Sequence, residues 1–157
     1  MADTLAIRLG STLGQLEWVR LDADGRQLGA VERDGQGLGA LARDHRVVVL
    51  VPAIHVIVTE VDVPPTKSAA RQRQMVPFAL EETLAQDLDE LFFAVGRRRP
   101  GDRIAVAVTA RERIDAWLAE LRALEIAPAA MYAETEGVPD TPGTLTLVAE
   151  GQRMLGR

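Results

Sequence analysis

Apolar and polar residues alternate through Leu5-Ala6-Ile7-Arg8-Leu9 and again through Leu16-Glu17-Trp18-Val19-Arg20-Leu21, the period-two signature of half-buried strands. Asp24-Gly25 supplies hairpin-turn chemistry ahead of a third strand over Leu28–Val31, so the opening predicts an antiparallel meander. Asp34-Gly35-Gln36-Gly37 interrupts the pattern, and Leu38–Arg43 is at most a short helix. Two apolar runs follow, Val47–Val51 and Ile54–Val61. The first lacks alternation, which predicts a central strand covered on both faces. Pro52-Ala53 permits a turn into the second, and Pro64-Pro65 ends it, because proline cannot donate to a ladder.

From Ser68 to about Gln86 the residues favour helix, with Pro77 placed either to kink it or to start a second helix. Leu91–Val95 and Ile104–Val108 read as strands joined by a basic turn, Arg97-Arg98-Arg99-Pro100-Gly101. Thr109-Ala110-Arg111-Glu112 matches a capping box, and Ile114, Trp117, Leu118, Leu121 and Leu124 repeat at helical spacing behind it. Prolines and glycines then spread through a stretch poor in apolar pattern. The chain therefore divides into an α/β subdomain over 1–127, a boundary over 128–143, and the start of a second, truncated subdomain over 144–157. In that last piece Leu145–Ala149 reads as a strand, Glu150-Gly151-Gln152 as a turn, and Arg153–Arg157 as a second strand barely begun.

Composition narrows the function classes. A chain of 157 residues with 47% hydrophobic content can close one core. Its net charge of −5 argues against a sequence-independent nucleic-acid surface. The absence of cysteine removes disulfides, thiolate metal sites and cysteine nucleophiles, and suits a reducing compartment. Met1-Ala2-Asp3-Thr4-Leu5 has no basic segment followed by an apolar stretch, so no secretory signal is read there. No run approaches the roughly 20 apolar residues of a membrane-spanning helix.

Candidate chemistry is sparse. Gly10-Ser11-Thr12-Leu13-Gly14 and Gly35-Gln36-Gly37-Leu38-Gly39 resemble phosphate-cradling loops, but neither has P-loop context, and Lys67, the single lysine, is distant from both. Both read as turns. His45 and His55 lack ligand spacing, His55 reading as a structural histidine inside an apolar strand. Ser11 and Ser68 lie outside any nucleophile elbow. Arg71, Arg73 and Arg97–Arg99 have no interleaved aromatics for base stacking, and Trp18 and Trp117 read as core. Glu81, Glu82, Asp87, Asp89 and Glu90 form the one acidic concentration. It reads first as a solvated helix face, next as an acidic docking surface for a basic partner and last as a hard-metal site, with Glu81 and Glu82 pointing to different sides of a helix. No catalytic residue, cofactor or metal site is assigned.

Val49-Leu50-Val51-Pro52, Val61-Asp62-Val63-Pro64 and Gln74-Met75-Val76-Pro77-Phe78-Ala79-Leu80-Glu81-Glu82 through Leu91-Phe92-Phe93-Ala94-Val95-Gly96 closely resemble the cytoplasmic domain of type II secretion system protein L. Asp102–Val108 and Trp117–Leu124 continue the likeness. The resemblance implies an actin-like, ribonuclease-H-like α/β fold, a mixed sheet with flanking helices. It further implies part of a single-pass inner-membrane protein on the cytoplasmic side, a scaffold that recruits the secretion ATPase, protein E, by binding its N-terminal domain. Other platform proteins such as protein M would be met through regions outside this sequence, and a homodimer is left open. Active members of the actin-like fold carry Asp-x-Gly in the first hairpin; here Arg8-Leu9-Gly10 stands there, which weakens nucleotide hydrolysis. The second reading is a nucleotide-binding actin-like protein related to type IV pilus protein M.

Overall fold

The computed structural model describes residues 3–98, 101–150 and 153–157. In chain order the elements open with β1 (Thr4–Leu9), β2 (Leu16–Leu21), β3 (Gln27–Glu32), α1 (Leu38–Arg43), β4 (Arg46–Val51) and β5 (Ile57–Asp62). Then come α2 (Ala69–Leu80), β6 (Leu91–Arg98), β7 (Arg103–Ala110), α3 (Arg111–Ala123), β8 (Ala130–Ala133), β9 (Leu147–Glu150) and β10 (Arg153–Gly156). Two compact units emerge: residues up to Ile54 together with those from Trp117 onward, and His55–Ala116.

The first unit holds a five-stranded mixed sheet in the order β3-β2-β1-β4-β8. β1, β2 and β3 form the expected antiparallel meander, whereas β1, β4 and β8 run parallel. The β1 alternation buries Leu5, Ile7 and Leu9, and parallel register sets Leu5 beside Val47 and Ile7 beside Val49. Apolar pairing across one face therefore fixes the register. β4 is central, but its second face is only partly covered: Val47, Val49 and Val51 are buried while Val48 and Leu50 are half-buried. β8 lies within the stretch expected to be a boundary and hydrogen-bonds to β4 through the pairs Val48–Ala130 to Val51–Ala133. Of the residues expected to be a terminal hairpin, β9 and β10 pair antiparallel; Gly151 and Gln152 of the turn lie outside the described residues.

The second unit is a three-stranded antiparallel sheet, β5-β7-β6, covered on one face by α2. Val76 and Leu80 of α2 pack with Val61, Val63, Leu91, Ile104, Val106 and Val108. α2 starts at Ser68, whose Oγ accepts the Arg71 N–H at 3.3 Å, the ordinary N-cap exchange. It runs through Pro77 as one helix and tightens into a 3₁₀ turn at Glu81–Thr83, where the Thr83 hydroxyl donates to the Leu80 carbonyl. Glu81 and Glu82 thus sit on that turn and not on the helix.

Three further expectations are corrected. Ile54 and His55 belong to a 3₁₀ turn, Ala53–His55, and the strand starts at Ile57. Pro52 has no N–H, and the Ala53 N–H is taken by the carboxylate of Glu134, 81 positions along the chain. Thr109 lies within β7, and its hydroxyl donates to the His55 carbonyl at 2.7 Å, so it does not form the capping box. Trp117 is buried as expected, but Trp18 is half-buried, its Nε1–H donating to the Asp34 carbonyl. The β6–β7 turn is tied by Arg98, which donates to the Asp102 carbonyl at 2.6 Å and pairs with its carboxylate; Arg99 and Pro100 lie outside the described residues.

Candidate functional site

The five acids read from the sequence all fall on the connection between α2 and β6. Glu81 and Glu82 ride the first 3₁₀ turn, and Asp89 and Glu90 ride a second one, Leu88–Glu90, with Asp87 at its N-terminal boundary. All five are exposed. The second turn is fixed by the Glu90 N–H, which donates to the Asp87 carbonyl at 3.0 Å. It is fixed also by Arg111, whose guanidinium donates to the Asp89 and Leu91 carbonyls at 3.2 and 2.9 Å. Phe78, in the last turn of α2, is 70% exposed. In the sequence Phe78 stands out only as part of the Pro77-Phe78-Ala79-Leu80-Glu81-Glu82 motif, and its exposure is visible only in the structure. Among the described residues no group of three or more histidines and acids is placed to hold a metal ion. The five acids are thus exposed and spread over two separate turns of one connection.

A second polar constellation lies at the carboxyl end of β1, around Arg8. Arg8 Nε meets Glu134 Oε2 at 3.1 Å, and Arg8 Nη1 meets Glu17 Oε2 at 3.6 Å. Glu17 also accepts from Arg33 Nε at 2.8 Å. Glu134 is buried, only 4% exposed, and its other oxygen accepts the Ala53 N–H at 3.0 Å. Ala53 follows β4 and Glu134 follows β8, so one carboxylate bridges three strands. Neither Glu17 nor Glu134 carries a sequence motif; only the fold brings them to Arg8.

The adjacent cleft, about 540 Å³, is lined by Arg8, Gly10, Ser11, Gly14, Gln15 and Arg33 among others. It tests whether this fold's magnesium–nucleotide would be held. The Gly10 N–H donates to the Gln15 carbonyl, the Gln15 N–H to the Thr12 carbonyl, and the Gly14 N–H to Glu120 Oε1 at 3.0 Å. The amides of both loop glycines are thus used within the chain, that of Gly14 by a carboxylate that repels phosphate. Arg8, Arg33, Glu17 and Glu134 balance in formal charge, and a guanidinium stands where a metal would need an acid. The residues do not fit the group. The Gly35–Gly39 stretch leads into α1, with Gly37 at its N-terminal boundary (φ 76°). A ring nitrogen of His45 is 2.8 Å from the Leu41 carbonyl, a structural arrangement.

Comparison with known proteins agrees with this architecture. The family profile "Type II secretion system (T2SS), protein L" matches residues 5–157. Type II secretion system protein L of Pseudomonas aeruginosa is 35% identical over 75 residues, covering 48% of this chain and 20% of that protein. Its counterpart in Pectobacterium carotovorum is 32% identical over 132 residues, covering 80% of this chain and 30% of that protein. The chain thus spans between 20% and 30% of the length of these curated relatives. Among solved structures, the cytoplasmic domain of EpsL, an inner-membrane component of the Vibrio cholerae type II secretion system, superposes with a TM-score of 0.72 at 23% identity. The match covers 99% of this chain and 71% of that one. The PilM–PilN type IV pilus biogenesis complex matches with a TM-score of 0.58 at 14% identity over 83% of this chain and 47% of that one. These likenesses establish an actin-like mixed α/β fold. Among the described residues no helix is long and apolar enough to cross a membrane. With residues 5–157 matched and relatives above 30% identity, the chain belongs to the type II secretion system protein L family.

Proposed function

We propose that this chain is a non-enzymatic scaffold at the cytoplasmic face of the bacterial inner membrane that recruits the secretion ATPase, protein E, by binding its N-terminal domain. The observation that carries the reading is the family match over residues 5–157. It is supported by chemistry: the exposed acids on the α2–β6 connection lie on two separate turns, and the Gly10 and Gly14 amides are used internally. Glu81, Glu82, Asp87, Asp89 and Glu90 supply part of the docking face, with Phe78 as its apolar element. Rim charges of this kind govern association rate and salt dependence more than final affinity, while a buried aromatic supplies most of the binding energy at such patches. Other platform proteins such as protein M are met through regions outside this sequence. The test is co-purification of the chain with the immobilised N-terminal domain of the ATPase. Retention is expected; passage of the chain through the column, with folded protein on both sides, removes the recruiting role.

A further inference from the structure

β6 is one of the two edges of the sheet in the His55–Ala116 unit, and among the described residues no strand pairs with its outer side. Soluble proteins protect such edges with charge, proline or a very short strand, because a row of open backbone groups pairs with any strand it meets. The other edge, β5, carries Glu60 and Asp62, and Arg103 donates to the Glu60 carbonyl at 3.1 Å. β6 has no such protection along its centre: Leu91-Phe92-Phe93-Ala94-Val95-Gly96 holds neither charge nor proline. Phe93 and Val95 pack onto the core that α2 covers, whereas Phe92, Ala94 and Gly96 alternate with them and are exposed.

Charge is confined to the two ends of this strand, and the ends differ in sign. Asp89 and Glu90 precede it, on the turn that Arg111 holds through the Asp89 and Leu91 carbonyls. Arg97 and Arg98 close it. Asp89, Glu90 and Arg97 are all exposed. An antiparallel copy of the same strand complements all three zones at once. Paired about Ala94, it sets Phe92 against Gly96, where an aromatic ring can lie over a position without a side chain, and Phe93 against Val95. The acidic end of each copy then meets the basic end of the other, the self-complementarity that a two-fold interface requires.

We propose that the outer edge of β6 is a self-association surface, on which two copies of this chain pair antiparallel about a two-fold axis and join their sheets into one. Main-chain hydrogen bonds supply the attraction, and the opposite charges at the ends set direction and register. The proposal does not rest on recruitment of the ATPase, and Phe78, Glu81 and Glu82 take no part in the ladder.

Sedimentation equilibrium of the purified chain at low salt, from micromolar to submillimolar concentration, should show monomer and dimer in exchange. Ala94→Lys sets two ammonium groups against each other at the axis, on an exposed position, and should raise the dissociation constant at least about tenfold while the circular dichroism of the parent is kept. Glu90→Arg and Arg97→Glu each bring like charges together in their own dimers, so each should dimerise less than the parent. Mixed in equal amounts, the two variants regain opposite charges at both ends and should associate more tightly than either does alone, a recovery that a merely structural role for these residues would not produce. A parent that stays monomeric, a folded Ala94→Lys chain that dimerises as tightly as the parent, or a mixture no tighter than its components overturns the proposal. If Ala94→Lys does not fold, the mixing experiment decides.

Discussion

Gly39 lies in α1 with an ordinary helical backbone, so its conformation does not require glycine; its surroundings do. A methyl group there would stand 2.3 Å from the Leu124 carbonyl oxygen and 3.2 Å from Glu125 Cβ. That oxygen is not free to retreat. The Leu124 N–H bonds to the Glu120 and Leu121 carbonyls, the Ile126 N–H returns to Leu121, and Glu125 holds φ at 58° to close the helix end. Gly39→Ala therefore sets two effects in opposition. Helix propensity favours alanine by about 0.8–1 kcal/mol. Overpacking against tied backbone costs about 1–3 kcal/mol, because about 1 Å of separation has to be opened. An approach of 2.3 Å to backbone places the cost in the upper part of that range, and a net loss of roughly 1–2 kcal/mol lowers the melting temperature by about 2–8 °C. Calorimetry or tryptophan fluorescence on heating reads the change, with Ala40→Gly on the exposed side of the same helix as the propensity-only control. A Gly39→Ala protein that melts higher than its parent would refute the packing argument outright.

Glu82→Lys combined with Asp87→Lys should slow association with the ATPase N-terminal domain roughly tenfold at low salt, with the difference fading as salt rises; unchanged stopped-flow rates remove these acids from the docking face and leave the scaffold reading standing. Arg111→Ala frees the Asp89 and Leu91 carbonyls, so amide hydrogen exchange across 88–92 should accelerate while α2 keeps its protection. No local acceleration means that the turn is held by other contacts. Ser68→Ala removes the N-cap acceptor of α2 and should cost about 1 kcal/mol, read from the denaturation midpoint; a shift indistinguishable from zero would place the helix start elsewhere.

Where one face of an element alone is buried, sequence pattern and structure coincide. β1 alternates in burial as it alternates in sequence, and α3 buries Trp117 and Leu121 from its apolar stripe. The readings that failed are those where a distant group decided the local conformation. Ile54 and His55 look like strand, yet the chain turns at Ala53 because Glu134, far along the sequence, takes its N–H. Thr109 has the spacing of a cap, but its hydroxyl is taken up by the His55 carbonyl. β8 is four residues, Ala-Met-Tyr-Ala, too short for a period to register, and becomes a strand because β4 offers it an open edge. The acids at 81–90 were visible as composition, whereas their placement on two 3₁₀ turns followed from how α2 ends and how Arg111 ties the second turn. Arg8 was noted for the acid it replaces. That its guanidinium would be met by Glu134 and Glu17 depended on strand order, which one sequence does not encode locally.

In the proposed role the chain presents a fixed surface to a partner and transforms no small molecule. Calorimetric titration of the purified chain with the N-terminal domain of the secretion ATPase, with and without ATP and magnesium, tests it most directly. Saturable binding with the same affinity in both conditions, and no phosphate released by the chain alone, is the predicted result. Absence of binding, or magnesium-dependent ATP turnover by the chain on its own, would contradict it.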